Sequence, residues 1–112
     1  MKDIATILLH YLAAALWTSE NEEEYSYDDF SPEASKKAEE DITRFVTEAG
    51  PLLEAWPEDQ IGHDFWLTRC GHGTGFWDRT EWPNGEALSK ICESYRMDVS
   101  VHACEDGTLI IE

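Results

Sequence analysis

The residues of this chain that could do chemistry are gathered in one stretch, residues 62–79, which runs Gly-His-Asp-Phe-Trp-Leu-Thr-Arg-Cys-Gly-His-Gly-Thr-Gly-Phe-Trp-Asp-Arg. His63, Asp64, His72 and Asp78 supply two imidazoles and two carboxylates, a set that would suit zinc, manganese or iron if the stretch folded back on itself. No His-x-x-x-His or His-Glu-x-x-His spacing supports such a centre, and Cys70-Gly71-His72 has no second close pair. Cys70 could serve as a nucleophile, with His63 or His72 as its base and glycine amides as oxyanion donors. The run from Gly71 to Gly75 is no phosphate loop, because it lacks the Gly-Lys-Ser/Thr ending and does not fit the dinucleotide spacing. A structural reading uses the same residues. Phe65, Trp66, Phe76 and Trp77 pack across a hairpin, His63 and Asp64 bond backbone groups, and Arg69 and Arg79 pair with Asp64 or Asp78. That reading ranks first, since aromatic-rich hairpins are most often core. Catalysis and metal binding are the alternatives, and no cofactor is called for.

The elements that must position this stretch follow from periodicity. Residues 4–17 carry apolar side chains nearly all round a helix, with Thr6 and His10 as the polar exceptions, which marks a core helix. Residues 18–31 form an acidic loop, with Glu20, Glu22, Glu23, Glu24, Asp28 and Asp29 set around Tyr25 and Tyr27. Ser31-Pro32-Glu33 is a helix start, and Ala34, Ala38, Ile42, Phe45 and Ala49 then make one apolar face up to Gly50-Pro51. From Phe65 onward the residues alternate, and the glycines suit a broad loop, so a hairpin is expected over 65–79. Asn84 can cap a helix over 85–95. Strands over 97–103 and 108–111 close the chain through a two-residue Asp106-Gly107 turn, which would set Ile110 on the face of Val99, Val101 and Ala103. The expected fold is one α+β domain: two or three N-terminal helices packed on a four-stranded antiparallel sheet, made of two hairpins with a helix between them.

Charge narrows the function. The 112 residues hold 24 acidic and 8 basic side chains, a formal charge of -16, and a field of that sign repels nucleic acid and anionic lipid. It attracts basic surfaces instead. Three cysteines, an odd number with no Cys-x-x-Cys, point to free thiols in a reducing compartment. The apolar run at residues 4–17 is too short to span a bilayer, and Asp3 offsetting Lys2 speaks against a signal peptide.

The words Gly-His-Asp-Phe-Trp-Leu-Thr-Arg, Gly-His-Gly and Gly-Phe-Trp-Asp-Arg, together with the first helix, the acidic loop ending Asp28-Asp29-Phe30-Ser31-Pro32-Glu33 and the Asp106-Gly107 turn, resemble a family of small acidic bacteriophage proteins of unknown function. In that family an Asn usually stands at the position of Cys70 and an Ala at that of Thr74, and no catalytic residue carries over. The resemblance implies a phage origin and the cytoplasm of an infected bacterium. With the charge, it leads to an acidic interaction protein: an inhibitor or modulator of a host protein that is basic or binds nucleic acid, imitating the charge row of DNA. The expected contacts are Glu22, Glu23, Glu24, Asp28, Asp29, Glu33, Glu40 and Asp41, because residues 20–59 hold fourteen carboxylates against three cations, a local charge of -11. The alternative is a small enzyme or metal-binding protein working through the central His/Asp/Cys hairpin.

Overall fold

A computed structural model describes residues 2–71 and 73–112. Its elements are α1 (Ile4–Thr18), α2 (Pro32–Ala49), α3 (Glu58–Cys70), α4 (Gly85–Cys92), β1 (Val101–Ala103) and β2 (Leu109–Ile111), with short 3-10 turns at Tyr27–Asp29, Gly50–Leu53 and Phe76–Asp78. The expected four-stranded sheet is corrected by this architecture. Among the described residues the one sheet is the antiparallel pair β1 and β2, and the stretch expected to open the first hairpin is helix α3.

Why residues 58–70 coil is plain once their surroundings are known. Glu58 and Asp59 lie in the first turn, where carboxylates meet the positive end of the helix dipole, and Gly71 closes the helix in the left-handed conformation with its N–H bonded to Leu67. Burial along α3 is not confined to apolar side chains. Ile61, Phe65, Trp66 and Leu67 are buried alongside Asp64, Thr68 and Arg69, so polar and apolar groups fill the interior together. That mixture imitates the alternation of a strand.

α1 and α3 run side by side in the same direction. Asp3 at the start of α1 donates its backbone N–H to Glu58, and Trp66 Nε1 donates to Thr18 Oγ1 at 2.8 Å near the other end. Gly62 makes the close approach possible. A Cβ there would meet the Ile7 carbonyl oxygen, the Tyr11 backbone nitrogen at 2.9 Å and the His10 Cβ at 3.1 Å. α2 returns antiparallel, starting as expected from the Ser31 cap, whose hydroxyl accepts from Ala34 N–H. Its Phe45 ring stacks on Phe65 at 4.3 Å, and Phe65 also meets Tyr11 and Tyr95. Trp56, Trp66 and Phe76 are buried in the same core, whereas Trp77 is 45% exposed.

α4 is shorter than the expected helix over 85–95. Asn84 precedes it in the left-handed conformation and makes no side-chain cap; its amide donates to Leu52 O instead. The last hairpin forms, but its register corrects the expected one. Cys104 N–H donates to Thr108 O, leaving Glu105, Asp106 and Gly107 as a three-residue loop, and Val101 faces Ile111 while Ala103 faces Leu109. One added loop residue moves β2 by one position, so Leu109 and not Ile110 is the fully buried one. Ser31 N–H donates to Leu109 O, which fastens the end of the acidic loop to this hairpin.

Because the two nearest atoms facing Gly62 are backbone of α1, they cannot move aside as a side-chain tip would. Gly62→Ala is expected to destabilise the protein by about 1–3 kcal/mol, the usual range for overpacking, despite the higher helix propensity of Ala. Denaturant unfolding measures this, and a variant as stable as the parent would show that the helices do not meet at Gly62.

Candidate functional site

The central stretch folds as a helix and a return. After α3 ends at Gly71, residues 73–79 run back along its flank: Phe76 N–H donates to Thr68 Oγ1 at 3.3 Å, and a Cβ on Gly75 would strike that same hydroxyl. Four residues toward the helix start, Asp64 accepts from Arg79 through both oxygens, Nε at 3.0 Å and Nη2 at 2.9 Å. Asp64 and Thr68 thus receive the returning chain one helical turn apart. The Asp64 carboxylate is fully buried, and its hydrogen bond raises the Arg79 guanidinium further above its ordinary value. An arginine occupies the position where the metal reading needed a cation.

Among the described residues of that reading, His63, Asp64 and Asp78 are not grouped on one point. Asp78 lies on the surface, accepting from Thr74 Oγ1 at 3.0 Å, and His63 packs its ring against Trp17 at 6.1 Å. His72 lies outside the described residues. Among the described residues no three His, Cys, Asp or Glu side chains are grouped as metal ligands. For the nucleophile reading, His72 as base lies outside the described residues, and the described pair of Cys70 and His63 is not placed for proton transfer. Cys70 sits at the C-terminal end of α3 with its thiol toward Leu67 O at 3.6 Å, the end of a helix opposite to the one that activates thiolates. His63 is seven residues away on the same helix, about 10 Å along its axis at the usual rise per residue, too far to take the thiol proton.

Arg69 holds the second buried charge. Its Nη1 donates to Asp41 Oδ2 at 3.0 Å and to Tyr11 OH at 2.9 Å, and its Nε donates to Arg96 O at 3.1 Å. Four segments therefore meet on one guanidinium: α1, α2, α3 and the chain after α4. Burial pushes the Tyr11 phenol up to about 12, even though the guanidinium beside it acts in the opposite direction. A cavity of about 140 Å³ opens beside the network, walled by Ala34, Ala38, Val99 and Ile111 with Lys37 and Arg96 among its lining. The sequence points Arg69 toward Asp64 or Asp78. The structure corrects the partner to Asp41, a residue far away in sequence.

Asp41 is accordingly removed from the partner-contact set, being only 6% exposed and bonded to both Arg69 and Lys37. Glu22, Glu23, Glu24, Asp28, Glu33 and Glu40 are exposed. Asp29 is partly covered and accepts from Ser26 N–H at 2.8 Å, closing the turn that precedes α2. Sequence reasoning missed the apolar outer row of α1. Its exposed residues are Ala5, Leu9, Ala13 and Trp17, and their spacing of four was visible in the sequence.

These features define a small helical protein whose two sealed carboxylates are committed to arginines and whose remaining acids face outward. Comparison with protein-family models, with curated proteins and with solved structures finds no match. No helix among the described residues is long and apolar enough to cross a membrane.

Burial holds the His63 imidazole below its ordinary value of about 6.5, with the charge of Asp64 opposing. As pH falls past about 6.5 the unfolded chain takes up this proton before the folded one, so stability is lost on acidification below that point and this group has no effect above it. His63→Gln is expected to flatten the stability loss between about pH 7 and pH 5 in denaturant titrations. An unchanged slope would show that His63 titrates alike in both states.

Proposed function

We propose that this chain is an acidic interaction protein of a bacteriophage that works in the host cytoplasm, modulating a host protein through that protein's basic, nucleic-acid-holding surface. The observation that carries this reading is where the charge lies. Asp41 and Asp64, the two buried carboxylates, are each matched by an arginine, so the sixteen excess negative charges remain at the surface.

The loop after α1 is the strongest part of that surface. Glu20, Glu22, Glu23, Glu24, Asp28 and Asp29 fall within ten residues, and no cation lies between Thr18 and Ser31. The outer face of α2 is mixed by comparison: Glu33, Glu39, Glu40 and Glu48 share it with Lys36, Lys37 and Arg44, and Arg44 bonds Glu48 at 2.7 Å. A duplex presents one charge about every 1.7 Å of axis, all of one sign. The loop resembles such a row in sign, and α2 does not. Glu22, Glu23, Glu24 and Asp28 are therefore the leading contacts, with Glu33 and Glu40 beside them.

Exposed charges of this kind govern encounter more than residence. With a partner isolated from bacterial lysate, converting Glu22, Glu23 and Glu24 to Lys is expected to slow association at least about tenfold at low salt and little at high salt, where charges are screened. The melting temperature should stay the same or rise. An association rate that ignores these reversals at low salt contradicts the reading.

A further inference from the structure

We infer that the outer face of α1 docks an amphipathic helix of the partner, one that carries an apolar row bordered by lysines and arginines. This rests on the acidic reading above and names the surface on which it acts. α1 has no Asp, Glu, Lys or Arg in its fifteen residues, although 29% of the whole chain is charged. Helices on the outside of a protein normally turn charged side chains to water. Here the four exposed positions are Ala5, Leu9, Ala13 and Trp17, an unbroken row at intervals of four, with Leu9 38% and Trp17 50% exposed. The row is about 18 Å long at the usual helical rise, enough to face three turns of a second helix. Ala5 and Ala13 are small, which lets another backbone come close, while Leu9 and Trp17 stand between and beyond them as anchors.

A groove of about 290 Å³ lies beside this row, floored by Leu8, Leu12 and Phe30 and bounded by Tyr27 and Asp28 of the acidic loop. Tyr27 is itself largely exposed. An apolar side chain of the partner would enter this groove while a neighbouring Lys or Arg reached Asp28.

Charge around the row chooses the occupant. At the N-terminal end of α1 the Asp3 backbone N–H meets Glu58, with Lys2 beside them, so the acidic excess lies at the other end, where Glu20, Glu22, Glu23 and Glu24 follow. Asp28 borders one side; beside Trp17, His63 has both Asp59 and Arg79 near it, and the Arg79 charge is already committed to Asp64. A second copy of this chain would bring two such acidic rims together, each on a molecule of charge -16. A basic amphipathic helix meets the apolar row and the rim at once.

The test uses the full chain and three synthetic 18-residue peptides followed by fluorescence anisotropy: a Leu/Lys helix with all leucines on one face, its scramble of equal composition, and a Leu/Glu helix of the same pattern. The Leu/Lys helix is expected to bind at least tenfold tighter than its scramble, and the Leu/Glu helix not at all. Leu9→Glu and Ala13→Glu, checked by thermal melting for an intact fold, are expected to weaken the Leu/Lys helix at least tenfold. Each adds an attractive charge, so loss of charge cannot explain the weakening. Equal binding of helix and scramble, unaffected by either variant, overturns the docking face and leaves the acidic reading standing. Binding of the Leu/Lys helix that ignores the Glu22, Glu23 and Glu24 reversals overturns the acidic reading instead. A sedimentation pattern of dimers dispersed by Ala13→Glu overturns the proposal in favour of a second copy.

Discussion

The ion pair between Arg69 and Asp41 is the contact on which the arrangement of the helices depends. Removing two charges from water costs several kcal/mol apiece, and the attraction offsets this only where geometry is good and the remaining donors are bonded. Arg69 meets that condition by serving Tyr11 and the Arg96 carbonyl as well as Asp41, while Lys37 takes the second oxygen of Asp41. Its guanidinium also lies beside aromatic rings, 5.4 Å from the centre of Phe65 and 5.6 Å from that of Tyr95. Apolar packing is non-directional and would let α2 slide against α1 and α3; a guanidinium with three fixed acceptors does not. The bare Gly62 complements it, setting how close α1 and α3 lie.

The same economy explains the return segment after α3. Glycine at 71 ends the helix, glycine at 75 lets the chain press on Thr68, and Arg79 then closes on Asp64. A motif dense in histidine, aspartate, cysteine and glycine resembles a reaction centre because these are the residue types that reaction centres use. The glycines and the aspartate among them are also what a tight helix return uses when it must bury a carboxylate. With Asp41 and Asp64 neutralised indoors, the acidic excess is left to the surface, and α1 alone among the longer helices presents an uncharged exterior within it.

Much of the helical half of the fold was legible. The apolar run at residues 4–17, the Ser31-Pro32-Glu33 start and the steps of three and four along α2 are local signals, and local hydrogen bonds answer them. The period of α3 misleads because Phe65, Leu67 and Arg69 alternate with Trp66 and Thr68, and a helix buried on nearly every side loses its one-sided apolar stripe. The signals that point to a helix are its boundaries, Pro57-Glu58-Asp59 before it and Gly71 after it. Asp41 could not be recognised as buried, since its partner Arg69 is 28 residues away and appears only once α2 and α3 are packed. The turn at Asp106-Gly107 was visible, yet a single extra loop residue decided which side of β2 faces the core.

The pair at the centre is tested most directly by comparing the stability of Arg69→Met with that of Arg69→Met combined with Asp41→Leu. Removing Arg69 alone leaves Asp41 buried without its main partner and is expected to cost about 3–5 kcal/mol, whereas removing both charges should return most of that loss, as apolar replacements of buried pairs often do. A single variant as stable as the parent, or a double variant that loses the sum of both single effects, would contradict the central place given to this contact.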